Sequence, residues 1–124
     1  MVTPRRQLGD FGERIAANRL EANGLRIVGR NVRVPGGEID LLAEEGDDLV
    51  FVEVRTRKAA DGAANESLGA AKLRRMWRSA MAYCEAWEID PACARLDVVS
   101  IDLDGAGRVV EVFHHRAMEF DSEE

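Results

Sequence analysis

The sequence predicts an α/β fold in which a mixed β-sheet carries one helix on each face, in the order αβββαββ. Two segments, 6–23 and 68–89, space their apolar residues as amphipathic helices do. Five other segments are runs of apolar and β-branched residues. The second helix separates the third strand from the fourth, so it serves as a crossover between them. The 124 residues suit one domain, with a core over about 6–113.

Both predicted helices have clear ends. In the first helix, Leu8 and Phe11 share one side with later apolar residues, and Gly24 stops the helix. Asp90 and Pro91 stop the second helix. The predicted buried face of the second helix follows a four-three spacing and consists of Leu73, Trp77, Ala80, Cys84 and Trp87.

The strands are predicted from apolar and β-branched runs bounded by turn residues. They cover 25–34, 38–44, 49–57, 94–103 and 109–113. An acidic turn that contains glycine joins the second strand to the third, which predicts a hairpin. The small-residue segment 58–67 predicts a loop, and the terminal "DSEE" predicts a frayed tail.

Composition argues against several classes of protein. No stretch approaches the roughly 18 apolar residues that a membrane span needs. The basic N-terminal residues are not followed by an apolar run, so this segment lacks the pattern of a secretory signal. Cys84 and Cys93 have no zinc-site spacing, which predicts free thiols in a reducing cytoplasm.

Charge is distributed unevenly along the chain. The net charge of -6 argues against a generic nucleic-acid-binding protein, because such domains are usually basic. Residues 36–54 contain seven acidic residues and no basic ones, whereas residues 55–78 contain seven basic residues and two acidic ones. An acidic hairpin therefore lies beside a basic segment, and phosphate binding at that segment stays compatible with an acidic chain.

The hairpin carries carboxylates on one of its faces. Side chains alternate along a strand, so one face is wholly apolar and is predicted to be core. If Glu44 pairs with Leu49, then Asp40 faces Glu53 across the hairpin. In the same register Leu42 faces Phe51, and Glu38 faces Arg55. The residues of the apolar face are Ile39, Leu41, Ala43, Val50, Val52 and Val54.

Two interpretations account for the facing carboxylates. Like charges directly opposite on a sheet are destabilising, and apolar neighbours reduce screening by water. A divalent cation with oxygen ligands, Mg²⁺ or Mn²⁺, would relieve the repulsion, and Glu13 at the edge of the first helix's apolar stripe is positioned to join it. Alternatively, Glu38 forms an ordinary ion pair with Arg55, Asp40 accepts backbone hydrogen bonds, and Arg57 or Arg30 neutralises Glu53.

These residues resemble the conserved positions of a known family. The sequence is similar to the YraN-like family of small bacterial proteins, whose fold is that of the restriction-endonuclease-like, or PD-(D/E)xK, nucleases. The resemblance covers nearly the whole chain from Gly12 to Leu103. It rests on Gly12-Glu13 with Ala16 and Leu20, on Gly24, Arg30-Asn31 and Arg33, and on Gly37-Glu38-Ile39-Asp40-Leu41. It also rests on Phe51-Val52-Glu53-Val54-Arg55-Thr56-Arg57, on Lys72, Ala80 and Tyr83, and on Asp97-Val98-Val99.

The resemblance implies a restriction-endonuclease-like three-layer sandwich and a set of nuclease roles. Asp40 and Glu53 would bind Mg²⁺ or Mn²⁺ with the carbonyl of Val54, Glu13 would be a further catalytic and metal-binding carboxylate, and Glu38 would support them. The expected partner is nucleic acid, most naturally DNA with a branched or damaged structure. A homodimer is expected by analogy with related resolvases and restriction enzymes. The residues expected to contact nucleic acid are Arg30, Asn31, Arg33, Arg57, Lys72 and Arg75.

One departure from the motif separates the functional hypotheses. The motif has lysine two residues after Glu53, where this chain has Arg55. Arginine stays protonated, so it orients and neutralises but does not deprotonate a water. Lys58 or Lys72 would then have to perform the role of the motif lysine. The hypotheses are a metal-dependent nuclease, a non-catalytic nucleic-acid-binding domain, and a protein-interaction domain that uses the acidic C-terminal third.

Overall fold

The computed structural model describes residues 4–58 and 69–119, with side chains from residue 9 onward. The elements are α1 (Pro4–Ala22), β1 (Arg26–Val34), β2 (Gly37–Glu45), β3 (Asp48–Lys58), α2 (Ala70–Ala86), β4 (Ala94–Leu103) and β5 (Val109–His115). The predicted order is confirmed. Apart from Lys58, which ends β3, the predicted 58–67 loop lies outside the described residues, as does the "DSEE" tail. In the part of the chain that is described, neither helix is long and apolar enough to cross a membrane.

The five strands form one mixed sheet in the order β1-β2-β3-β4-β5. Neighbouring strands are antiparallel except for β3 and β4, which are parallel. This exception follows from the connection, because parallel neighbours need a crossover and α2 provides it. The result is the restriction-endonuclease-like three-layer sandwich expected from the sequence, with a helix on each face.

Helix α1 covers one face of the sheet at close range. Ala16, Ala17 and Leu20 are buried against side chains of β2, β3 and β4. A Cβ atom added at Gly12 would lie 2.6 Å from Thr56 Oγ1, so only glycine permits this approach of helix to sheet. The close contact brings the next residue, Glu13, to the sheet. The sheet side of this core consists of Leu41, Ala43, Val50, Val52, Val99, Ile101 and Leu103.

Helix α2 covers the opposite face, and its end differs from the prediction. Ala80 and Cys84 pack against Leu42, Phe51 and other sheet residues, as expected. Trp87, however, is 67% exposed, so its predicted place on the buried face is wrong. The helix ends at Ala86, and the following backbone no longer keeps the helical spacing that the prediction assumed. Both cysteines are free thiols, as the sequence predicts.

A buried polar network joins β5 and the residues after it to β4. Asp97 on β4 is fully buried, and Arg95 donates to both of its oxygens at 2.9 Å. The same carboxylate is hydrogen-bonded to His114 Nε2 at 2.7 Å and to the Ala117 N–H at 3.0 Å. Burial raises the pKa of Asp97, but the hydrogen bonds from His114, Arg95 and Ala117 outweigh burial and lower it to about 2. The packed structure therefore continues beyond the predicted limit at residue 113.

Candidate functional site

The β2–β3 hairpin has the predicted register where its two strands are paired. Leu42 lies opposite Phe51, and the ladder runs from the turn as far as Leu41 and Val52. Beyond that point β2 stays paired with β1, and β3 stays paired with β4. Asp40 and Glu53, the carboxylate pair, are therefore the first residues past the end of the ladder. There the Val54 N–H donates to Asp40 Oδ2 at 2.9 Å.

Strand β2 changes its facing at Asp40. Ile39 is buried with Leu42 under α2, although strict alternation places it on the α1 face, so that prediction is wrong. The change of facing coincides with Asn31 on β1, which has a left-handed φ of 50° and lies opposite Asp40, between the paired residues Arg30 and Val32. Asparagine is one of the few residues that tolerate this conformation. Asp40 therefore lies at the point where the side chains of β2 change face.

The charges around Asp40 repel one another. Burial raises the pKa of Asp40 to about 7, and the charge of Glu53 is the second cause. Glu13 and Glu38 act in the same direction, while the hydrogen bond from the Val54 N–H acts against them. Asp40 therefore sits where an added positive charge would be stabilising.

Glu13 belongs to the same group of carboxylates. Burial raises its pKa, and a side-chain hydrogen bond from Asn31 acts against this effect. Glu38 adds to the rise and Arg30 opposes it, so both lie close enough to influence the charge of Glu13. The other three carboxylates that the sequence predicts for the site, Glu13, Glu38 and Glu53, thus all lie within electrostatic reach of Asp40.

A lysine from α2 reaches the carboxylate pair. Lys72 Nζ lies 2.9 Å from Glu53 Oε1, and their side chains are 39% and 19% exposed. Arg55, two residues after Glu53, is half-buried on β3 and lies opposite Ser100 of β4. The ammonium group beside Glu53 therefore comes from the helix, not from the strand position at which the family motif has lysine.

Beside Glu53 the protein forms a cleft of about 300 Å³, here called the α2 cleft. It lies between the β1–β2 turn at 35–37 and the first half of α2, with the sheet as its floor. Sequence reasoning identified only part of it. Met76 and Ser79 were missed, although both follow Lys72 at helical spacing on the same side of α2. The α2 cleft is lined by Pro35, Gly36, Gly37, Glu38, Ile39, Phe51, Val52, Glu53, Lys72, Arg75, Met76, Arg78 and Ser79.

The remaining basic residues predicted to contact nucleic acid divide into two groups. Arg75 lines the α2 cleft, and Arg30 and Arg33 are exposed on β1 beside the carboxylates. Arg57 is different, because its side chain is 8% exposed and its guanidinium lies 3.0 Å from Asp102 Oδ1 on β4. A buried ion pair of this kind occupies the guanidinium, so Arg57 is not available to a phosphate group.

The donor set fits a metal ion held by few protein ligands. In the described ranges, no three carboxylate, imidazole or thiolate groups converge as a ready-made cluster. Asp40 and Glu53 are oxygen donors whose charges act on each other, and hard oxygen donors suit Mg²⁺ and Mn²⁺. Magnesium in particular is usually bound through one or two carboxylates and keeps several waters. The arrangement is compatible with a two-carboxylate site.

The raised pKa of Asp40 predicts an unusual pH dependence of stability in chelator. The folded protein keeps the Asp40 proton up to about pH 7, while the ordinary value is 3.8. Folding therefore takes up a proton between these values, and the stability gained from it is lost as the pH rises through about 7. Urea denaturation should show Asp40→Asn gaining stability relative to wild type as the pH rises from about 4 to about 7. A difference that does not change with pH would contradict the raised pKa.

Sequence comparisons agree with the family suggested by these residues. A protein of Arthrobacter sp. (strain FB24) is 50% identical over 102 residues, which are 82% of this chain and 86% of that protein. A protein of Chloroflexus aurantiacus is 46% identical over 116 residues, 92% and 93% of the two chains. One of Symbiobacterium thermophilum is 45% identical over 105 residues, 84% and 89% of the two chains. All three are called UPF0102 proteins.

Among solved structures, that of Pyrococcus furiosus SfsA in complex with Ca²⁺ matches 94% of this chain at 17% identity, with a TM-score of 0.42. This chain spans 65% of the length of SfsA. Residues 12–101 match the uncharacterised protein family UPF0102, which is the YraN-like family. The chain belongs to this family.

Proposed function

We propose that this protein is a metal-dependent nuclease that hydrolyses phosphodiester bonds of DNA and uses Mg²⁺ or Mn²⁺ at Asp40 and Glu53. The observation that supports this most is the placement of the carboxylate pair. Asp40 is half-buried, and its pKa is raised to about 7 by burial and by the nearby charge of Glu53. Lys72 contacts Glu53. Perturbed carboxylates beside a cleft are the usual physical sign of a functional site.

Each residue has a distinct part in this proposal. Asp40 and Glu53 would hold the metal with the carbonyl oxygen of Val54, while the Val54 N–H fixes the orientation of the Asp40 carboxylate. The bound metal supplies a water of lowered pKa and stabilises charge on the scissile phosphate. Glu13, held by Asn31, adds negative charge beside the pair. Exposed Arg30 and Arg33 are placed to contact the DNA backbone.

Lys72 takes the place of the lysine that the motif carries at the position of Arg55. Unlike arginine, lysine can both position the attacking water and accept a proton from it. Its 2.9 Å contact with Glu53 shows that a side chain from α2 reaches the carboxylate pair. Arg55 would keep its charge throughout the reaction and orient the phosphate. The proposed nuclease thus has its lysine on the helix instead of the strand.

Cleavage of labelled DNA in Mn²⁺ tests this assignment. We expect Lys72→Ala to lower the rate by about 100-fold, the lower end of the contribution of a positioned acid–base group. Adding Arg55→Lys to that variant should restore part of the rate, because it returns lysine to the motif position. Arg26→Ala, which changes an exposed arginine at the far end of β1, serves as the control. Full activity in Lys72→Ala would contradict the role given to Lys72.

A second candidate is a DNA-binding domain without catalysis, favoured by Arg55 in the lysine position. It predicts no cleavage by any variant together with salt-sensitive binding, because phosphate contacts release counterions. The cleavage assay and a binding titration at two salt concentrations separate the two candidates. In either case we propose that the protein acts in the cytoplasm and as a homodimer, by analogy with related resolvases and restriction enzymes.

A further inference from the structure

The α2 cleft joins an apolar interior to a charged rim, which contains three cationic side chains and the carboxylates of Glu38 and Glu53. Ile39 and Phe51 are buried in the sheet and present apolar surface to it, and Met76 on α2 adds a flexible thioether. Lys72, Arg75 and Arg78 come from the same stretch of α2 and line the cleft as well. Arg75 and Arg78 are exposed. Neither a purely phosphate-binding groove nor a purely apolar pocket would need both kinds of side chain.

This combination matches the chemistry of an unpaired nucleotide. A base that has left its stack gains from apolar and sulfur contacts, and its phosphates gain from nearby cations. The volume of about 300 Å³ is at the lower end of the range of roughly 300–1,000 Å³ for small-ligand sites. It suits one nucleotide and excludes a base pair with both of its backbones. Continuous duplex DNA therefore does not fill the α2 cleft.

The walls of the α2 cleft approach each other at one point. A Cβ atom added at Gly37, in the turn between β1 and β2, would lie 3.1 Å from Ser79 Oγ on α2. The opening between turn and helix therefore depends on the absence of a side chain at Gly37. Ser79 places a hydroxyl group at this opening, where it can donate to or accept from the edge of a base.

We infer that the α2 cleft binds one unpaired nucleotide of DNA beside the scissile phosphate. The inference rests on the proposed function, because Glu53 belongs both to the carboxylate pair and to the wall of the cleft. It specifies the substrate class as DNA with a single-stranded segment, such as a flap, a gap or a splayed end. The carboxylate pair would then act at or next to the boundary between paired and unpaired strands.

Binding in chelator tests the inference without any cleavage. Fluorescence anisotropy would compare three labelled DNAs: a single strand, the same strand in a blunt duplex with G·C-rich ends, and that duplex with a single-stranded flap. We expect the single strand and the flap to bind at least about 10-fold more tightly than the blunt duplex. Equal affinity for all three would overturn the inference. Cleavage of blunt duplex in Mn²⁺ alongside that result would leave the proposed nuclease function intact.

Two kinds of variant connect the preference to the α2 cleft. Ser79→Phe fills the opening and should lower affinity for the single strand by about 10-fold while leaving weak duplex binding unchanged. Gly37→Ala narrows the same opening and should act in the same direction, so it replaces Ser79→Phe if that variant fails to fold. Wild-type single-strand affinity in a folded cleft variant would overturn the inference.

Charge at the rim is tested separately. Arg75→Gln/Arg78→Gln should weaken binding to the flap and reduce its salt dependence, because two phosphate contacts are lost. The matched control is Arg14→Gln/Arg26→Gln, which neutralises two exposed arginines outside the cleft. If both double variants lose the same affinity for the flap, the arginines at the rim of the α2 cleft have no specific role and the inference is overturned. If the wild type cleaves no DNA in Mn²⁺ but still binds the single strand more tightly than the duplex, the proposed nuclease function is contradicted and the inference about the α2 cleft stands.

Discussion

Asp97→Ala should lower the free energy of unfolding by about 3–5 kcal/mol, the usual cost of removing one partner from a buried ion pair. Asp97 is fully buried, and the side chain of His114 is 3% exposed. Within the described residues, the other hydrogen bond of the His114 side chain is to Asn23, so the substitution leaves His114 without a carboxylate partner. The variant also removes the acceptor of the Ala117 N–H. Because domains are typically stable by only about 5–15 kcal/mol, this single change removes much of the total.

Glu44→Ala is the matched control for this prediction. Glu44 also forms an ion pair with an arginine, Arg26, but their side chains are 42% and 76% exposed. A surface pair of this kind contributes about 1 kcal/mol or less. Urea denaturation of both variants at neutral pH measures the difference. Similar small losses in the two proteins would show that the Asp97 network contributes little to stability.

Asp40→Asn and Glu53→Gln should each lower metal-dependent cleavage by more than about 100-fold, because even residues that only orient metal ligands contribute 10–100-fold. Both substitutions keep the shape of the side chain and remove its charge. An asparagine oxygen at position 40 can still accept from the Val54 N–H. In chelator, Asp40→Asn should therefore be as stable as wild type or more stable at neutral pH, since the repulsion from Glu53 is gone.

The opposite combination of results would contradict this account. If Asp40→Asn is clearly less stable than wild type in chelator, the Asp40 carboxylate stabilises the fold through an ion pair and is not a metal-binding group held under repulsion. Glu21→Gln is a suitable control for the cleavage assay, because it neutralises an exposed carboxylate of α1 that lies outside both the carboxylate pair and the α2 cleft. It should leave metal-dependent cleavage within a few-fold of wild type.

Strand alternation alone predicts the register of the β2–β3 hairpin but not the facing of every residue in it. The register from Leu41 and Val52 to the turn is as predicted, because a slip by one residue would bury charged side chains and expose apolar ones. Ile39 departs from the pattern at the place where Asn31, opposite Asp40 on the neighbouring strand, adopts a left-handed conformation. A single sequence gives no direct sign of that conformation, although asparagine is compatible with it.

Contacts across the crossover were beyond sequence reasoning. Arg57 pairs with Asp102, its neighbour in the parallel register of β3 and β4. That register is not set by a short turn, because α2 and its connections lie between the two strands. The same reason explains why the contact between Lys72 and Glu53 was not predicted, although Lys72 was expected to contact nucleic acid.

The central claim is that Asp40 and Glu53 bind a divalent cation, and thermal melting with and without Mn²⁺ tests it most directly. At a free metal concentration 100 times the Kd, binding should stabilise the wild type by about 2.7 kcal/mol, which raises Tm by several degrees. The double variant Asp40→Asn/Glu53→Gln should show no rise. A wild-type Tm that is the same in Mn²⁺ and in chelator, with a double variant that is clearly less stable in chelator, would contradict the claim and identify the pair as part of a structural ion-pair network.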